Sequence, residues 1–168
     1  MLNDHLRINE KGNLEIGGCD AVDLVQEYGT PLYVMDEMNI RHNCRRYQQA
    51  MDRYYDGNGL VLYASKAFCT MAMCKIIEQE GLGLDVVSGG EMYTAMKAGF
   101  PMEKVYFHGN NKTPEEISMG IEQNIGRFVV DNQTELETID RIACEHGKRV
   151  KVSFRIKPGV DAHTHEFI

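Results

Sequence analysis

Six ionisable side chains stand at or just beyond the ends of short apolar runs: Asp36, Lys66, Asp85, His108, Asp131 and Arg155. Lys66 says most about chemistry, because it follows Val61-Leu62-Tyr63-Ala64-Ser65. An amine at the tip of a buried strand sheds water. Desolvation disfavours its charged form, which lowers its pKa and makes it a usable nucleophile toward an aldehyde. The plainer reading is a lysine whose stem lies along the rim with its head in water. Strand ends are also polar simply because they approach solvent. Asp36 and Asp131 suit the N-termini of following helices as well as they suit catalysis.

The elements that would position these groups repeat. Apolar, β-rich runs recur at Leu32–Met35, Leu60–Tyr63, Leu84–Val87, Val105–Phe107, Phe128–Val130 and Val150–Ile156. Between them lie segments with helical spacing, such as Met71, Cys74, Ile76 and Ile77, then Met92, Ala95 and Met96, then Leu136, Ile139, Ile142 and Ala143. Three helix starts carry capping signatures: Ser88-Gly89-Gly90-Glu91, Thr113-Pro114-Glu115-Glu116 and Asn132-Gln133-Thr134-Glu135. Gly81, Gly99 and Gly147 fall where helices should stop.

Alternating strands and helices predict an α/β fold with a parallel sheet, open or closed as a barrel. The repeat of roughly 20 to 25 residues is near that of an eight-unit barrel, and six strands make only part of one. In such folds the functional side chains gather where strands run out into helices. Residues 1–29 do not share the rhythm. Leu6 to Ile16 alternates with period two around a Gly-Asn turn and predicts a hairpin, followed by a helix over Ala21 to Tyr28. The expected division is therefore 1–29, hairpin and helix, and 30–168, an incomplete barrel.

Composition removes several function classes. With 168 residues, 43% of them hydrophobic, the chain can build one core. A formal charge of -7 without a Lys/Arg cluster argues against nucleic acid. No run suits a membrane span, and Met1-Leu2-Asn3-Asp4-His5 has no secretory character, so a cytoplasmic protein is expected. Five scattered cysteines suggest neither a disulfide framework nor a zinc ribbon. His163-Thr164-His165 could ligate a metal, but no third ligand is evident and no metal is expected. Gly81-x-Gly83 and Gly89-Gly90 lack the spacing of a phosphate loop.

Four stretches carry a more specific signal. Tyr63-Ala64-Ser65-Lys66-Ala67 resembles the Y-A-x-K-A element of the alanine-racemase-like, pyridoxal-phosphate-dependent decarboxylases. Asp85-Val86-Val87-Ser88-Gly89-Gly90-Glu91, Phe107-His108-Gly109-Asn110-Asn111-Lys112 and Arg155 to Ile168 resemble elements of their diaminopimelate branch. Lys157 and Phe167 depart from the usual Asn and Tyr of the last stretch.

The resemblance implies an α/β, partial (β/α)8 TIM-type barrel, with the N-terminal hairpin packing on a C-terminal β domain beyond this sequence. It implies pyridoxal 5'-phosphate held by Lys66 as a Schiff base, in a lyase of lysine biosynthesis that decarboxylates meso-2,6-diaminopimelate to L-lysine. Lys66, Ala64, Asp85, Glu91, Arg155 and His108 are carried over as cofactor contacts, Arg155 near the phenolic oxygen. Glu91 is equally well explained as a helix cap, and His108 as a loop partner. The full-length form would be a homodimer acting on a small amino acid. Family members continue well past this length, so 168 residues hold only the N-terminal portion, and activity of the segment alone is not expected. Alternatives are a non-catalytic or regulatory relative that binds a partner chain, and a decarboxylase of another basic amino acid.

Overall fold

The computed structural model describes residues 5–156 and 158–160; the readings placed on Lys157, His163, His165 and Phe167 lie outside the described residues. The chain divides into two units, one of residues up to Val61 with Ile76–Leu82, the other of Leu62–Lys75 with the residues from Gly83 onward.

The first unit opens with the expected hairpin. Strand β1 (Leu6–Ile8) pairs antiparallel with β2 (Leu14–Ile16), Leu6 opposite Ile16, and a third strand, β3 (Cys19–Asp20), adds to β2. Asp20 then caps helix α1 (Ala21–Tyr28) by accepting from the Val22 N–H. Asp36 caps helix α2 (Glu37–Tyr55) in the same way, through Asn39 N–H at 3.1 Å. About one turn apart on α2, Arg41 and Arg45 converge on Glu80 at 2.9 and 2.7 Å. Those two hydrogen bonds, Arg45 first, hold the Glu80 carboxyl below its ordinary value.

Leu32–Met35, expected as a strand, belongs to no regular element and pairs with nothing among the described residues. Tyr33 is 98% exposed. β-rich composition supplies the shape of a strand; a neighbour must supply its hydrogen bonds.

The second unit contains a five-stranded parallel sheet in the order β4 (Leu62–Ala64), β5 (Gly83–Val86), β6 (Val105–Phe107), β7 (Arg127–Val130) and β8 (Val152–Phe154). Five strands thus replace the six expected. The crossovers carry α3 (Met71–Gln79), α4 (Gly89–Lys97), α5 (Pro114–Glu122) and α6 (Gln133–Glu145). Strand order follows chain order without the reversal that marks a doubly wound sheet, as in the wall of a barrel.

Alternation gives this sheet two unlike faces. Val86, Val105, Phe107, Phe128 and Val130 are at most 1% exposed and form a core with Met92 and Ala95 of α4, Ile117 and Ile121 of α5, and Ile139 of α6. Phe107 and Phe128 stack at 6.2 Å between centroids. Burying each such ring contributes about 2 kcal/mol. The register row Ala64, Asp85, Tyr106, Arg127 lies on the other face, half-buried and mostly polar. There Arg127 donates to Ser153 Oγ at 2.9 Å and lies over the Tyr106 ring.

Helix boundaries follow the expected chemistry. Thr113 and Glu116 form a reciprocal capping box with Pro114 in the first turn, and Asn132 accepts from the Glu135 N–H at 2.9 Å. Ser88 accepts from the Glu91 N–H, but the Glu91 carboxylate goes elsewhere, so this box is half formed. Gly81, Gly99 and Gly147 have φ of 80, 68 and 61° after their helices, a conformation costly for side chains with a Cβ. Among the described residues no helix is long and apolar enough to cross a membrane.

Candidate active site

All six residues expected to form the site lie in the second unit, five of them at or just beyond the ends of β4, β5, β6 and β8 and Glu91 in the first turn of α4. Ala64 is the last residue of β4 and stands opposite Asp85 in the parallel register. Lys66 follows in a single 3-10 turn, Ser65–Ala67. It is exposed, and among the described residues it makes no hydrogen bond or ion pair. The buried position expected from the apolar run before it is therefore not provided by this segment. Strand β4 ends at Ala64, and the turn lifts Lys66 out of the sheet.

The turn itself is firmly held. Ser65, 1% exposed, places its hydroxyl 2.8 Å from the Asp85 carbonyl and 2.5 Å from Glu91 Oε2. Glu91 Oε2 also accepts from the Val87 N–H at 3.0 Å. Of the two readings of Glu91, the backbone N–H shows the helix cap at Ser88, while the carboxylate ties the turn before Lys66 to the end of β5.

Two acid–base pairs continue along the rim. His108 Nδ1 lies 2.8 Å from Asp85 Oδ1. The contact is close, yet the ring N–H is not aligned on the carboxylate, and Asp85 Oδ1 is buried without a formed hydrogen bond. His108 therefore faces an acid rather than loop carbonyls. Beyond β7, Asp131 meets the guanidinium of Arg155 at 3.2 Å. Asp131 is not the helix cap, which is Asn132. The backbone N–H groups of His108 and Arg155 donate to Val86 and Val130 carbonyls at 2.8 and 2.9 Å, so the ladder runs one residue past each strand. Asp36, the remaining strand-end candidate, belongs to the other unit as the cap of α2.

Ser65, Lys112, Glu116 and Glu135 were not singled out by residue type. Lys112 is 1% exposed on its side chain and pairs with Glu135 at 2.7 Å. Breaking such a buried pair by removing one partner costs about 3–5 kcal/mol. The signal in the sequence is the glutamate three residues into each helix, which helix capping by itself accounts for.

An exposed amine, a buried carboxylate oxygen lacking a formed hydrogen bond, an imidazole and a permanent guanidinium at one rim suit an aldehyde cofactor with a ring and ionised oxygens. The amine can condense with the aldehyde, Asp85 can face a positive group, and Arg155 can face an anionic oxygen. Among the described residues no cluster of three or more His, Cys, Asp or Glu could hold a metal.

Comparison with known proteins agrees with this chemistry. Residues 37–168 match the family described as pyridoxal-dependent decarboxylase, pyridoxal binding domain. Diaminopimelate decarboxylase of Bacillus methanolicus is 51% identical over 162 residues, covering 96% of this chain and 37% of that protein. The Bacillus subtilis enzyme is 51% identical over 165 residues with the same shares. A crystal structure of diaminopimelate decarboxylase from M. jannaschii with L-lysine superposes with a TM-score of 0.89 at 44% identity, over 100% of this chain and 39% of that one. The chain spans less than two-fifths of these relatives' length. Its strand order, its lysine turn and the match over residues 37–168 place it in the pyridoxal-dependent decarboxylase family, as the N-terminal, pyridoxal-binding part of the barrel.

Proposed function

We propose that this chain holds pyridoxal 5'-phosphate on Lys66 and forms part of an enzyme that decarboxylates meso-2,6-diaminopimelate to L-lysine. The observation that carries the reading is the Lys66 turn, fixed by Ser65 to Asp85 and Glu91 beside the Asp85–His108 pair. When bound, the cofactor ring supplies an electron sink for the pair of electrons left behind by departing carbon dioxide.

The chain's own groups hold and orient. Lys66 would provide the amine that holds the cofactor. Ala64, with only a methyl group, leaves room for a ring beside the β4 end. Asp85, with His108 alongside it, offers negative charge to a positive group in the site. Arg155, charged at any working pH, favours an ionised oxygen nearby, and Asp131 aims it. Glu91 keeps the lysine turn against β5.

The remaining expectations belong to the same proposal: a small amino-acid substrate, a homodimer in the full-length form, a cytoplasmic location, the hairpin of residues 1–29 packing on a further β domain, and a barrel begun by residues 30–168. Relatives named diaminopimelate decarboxylase at 51% identity support the substrate.

The test is direct. Mixing the chain with pyridoxal phosphate should give an imine absorbance, and borohydride reduction followed by peptide mapping should place the adduct on Lys66. Lys66→Ala should abolish it, and Lys112 should stay unmodified because its amine is buried. Modification of a different lysine, or of none, overturns the assignment.

A further inference from the structure

Lys112 is an enclosed ammonium whose three N–H groups each have an acceptor. They reach the Gly109 carbonyl at 2.7 Å, the Val129 carbonyl at 2.8 Å and Glu135 Oε1 at 2.7 Å. The Phe107 ring lies 5.5 Å away. With its donors spent and its side chain 1% exposed, the amine is not available as a nucleophile or proton carrier.

Its three acceptors share a location. Gly109 directly follows His108, the partner of Asp85. Val129 lies two residues before Asp131, the partner of Arg155. Glu135 also accepts from the Asp131 N–H at 3.4 Å. At Gly109 the turn has no side chain with which to anchor itself. Its φ is +103°, and a Cβ there would come within 3.0 Å of the Val87 carbonyl, so the backbone lies against the end of β5 and is fixed through its own carbonyl.

We infer that Lys112 is a positioning residue: held by Glu135, it locks the turn carrying His108 to the strand end carrying Asp131, so that the Asp85–His108 and Asp131–Arg155 pairs face the cofactor in one fixed arrangement. The inference rests on the reading that this rim takes pyridoxal phosphate. Neighbouring turns are joined in a related way. Glu91 joins the Ser65 turn to Val87, and Glu116 accepts from both the Thr113 N–H and the Gly89 N–H of the preceding turn. Among the described residues, it is at Lys112 that the link lies between the two acid–base pairs.

The experiment compares the chain with Lys112→Met, Lys112→Arg and the double variant Lys112→Met/Glu135→Met. Removing both charges avoids leaving one buried and unpaired, so the double variant should keep a thermal midpoint near that of the parent. Its amide exchange should nevertheless rise about tenfold in the 108–112 and 129–132 turns and stay unchanged within α4. Its affinity for pyridoxal phosphate at Lys66 should fall about tenfold, with an altered pH profile of adduct formation. Capture of propanal by Lys66 should not change, because Lys66 is exposed.

Arginine keeps the charge, but a planar fork cannot aim at three convergent acceptors. Lys112→Arg should therefore repeat both losses in weaker form and decides the matter if the double variant fails to fold. Parental exchange and a parental cofactor profile in these variants would overturn the inference, as would a cofactor loss without any change in exchange. Should the parent form no Lys66 adduct, the cofactor reading fails by itself. The exchange data then still decide whether Lys112 holds the two turns, and unchanged exchange refutes it.

Discussion

Cys69 and Cys74 stand five residues apart on either side of the start of α3, and burial pushes both thiols up, Cys74 to about 12. The thiolate is the reactive form. At pH 8 a maleimide should label exposed Cys19 and Cys144 promptly, and Cys74 roughly a thousandfold more slowly or only after unfolding. Labelling of Cys74 at the rate of Cys19 would contradict its burial. Because its folded value lies above that of the unfolded chain, the contribution of this thiol to stability is complete below about pH 8.5 and lost as pH rises toward 12. The same scale shows what single residues disclose in a sequence. Lys66 and His108 were legible because each follows an apolar run, and Asp85 because it is the charged residue within one. The exposure of Lys66 was not, since it depends on a turn whose anchor is the unremarkable Ser65. Lys112 was hidden for the opposite reason: surrounded by polar residues in a loop, it reads as solvent-facing until the fold folds Glu135 over it.

Among the elements, the three-stranded N-terminal sheet is organised by one carboxylate. Asp20 accepts from Asn13 Nδ2 at 3.0 Å, from Asn9 Nδ2 at 2.8 Å and from the Val22 N–H at 2.8 Å, and these bonds, that of Asn13 foremost, outweigh desolvation and hold it at about 2. Its folded value lies below the ordinary one, so the stabilisation is present above about pH 4 and lost as pH falls toward 2. A carboxyl-carbon titration by NMR should find Asp20 ionised well below neighbouring acids, and Asn13→Ala should move its midpoint upward. No movement in that variant would show that Asn13 does not hold it. Period-two alternation around Gly12 made the hairpin readable, whereas β3, two residues long, is too short to leave a pattern. Helix caps and stops were legible for a related reason, being written in local chemistry. Leu32–Met35 shows the limit, because strand pairing is a property of the neighbour and not of the run.

At the level of the molecule, the sheet has β4 and β8 at its two edges, each hydrogen-bonded on one side among the described residues. Phe154 of β8 and Ile156 just beyond it are 60% and 77% exposed. Open edges with apolar side chains are templates for association. The chain should sediment faster as its concentration rises, and Phe154→Lys with Ile156→Lys should lessen the effect; a concentration-independent monomer would disprove it. Repetition of the β-α unit was enough to indicate a parallel sheet, and the unbroken strand order then separates a barrel wall from a doubly wound sheet. The links between successive turns carry a further consequence for a chain made from its N-terminus. Ser65 waits for Glu91, Gly89 for Glu116 and Lys112 for Glu135, partners 26, 27 and 23 residues later. A turn emerging from the ribosome thus has its final shape only after the following unit has been synthesised, and order travels up the nascent chain one strand and helix behind elongation.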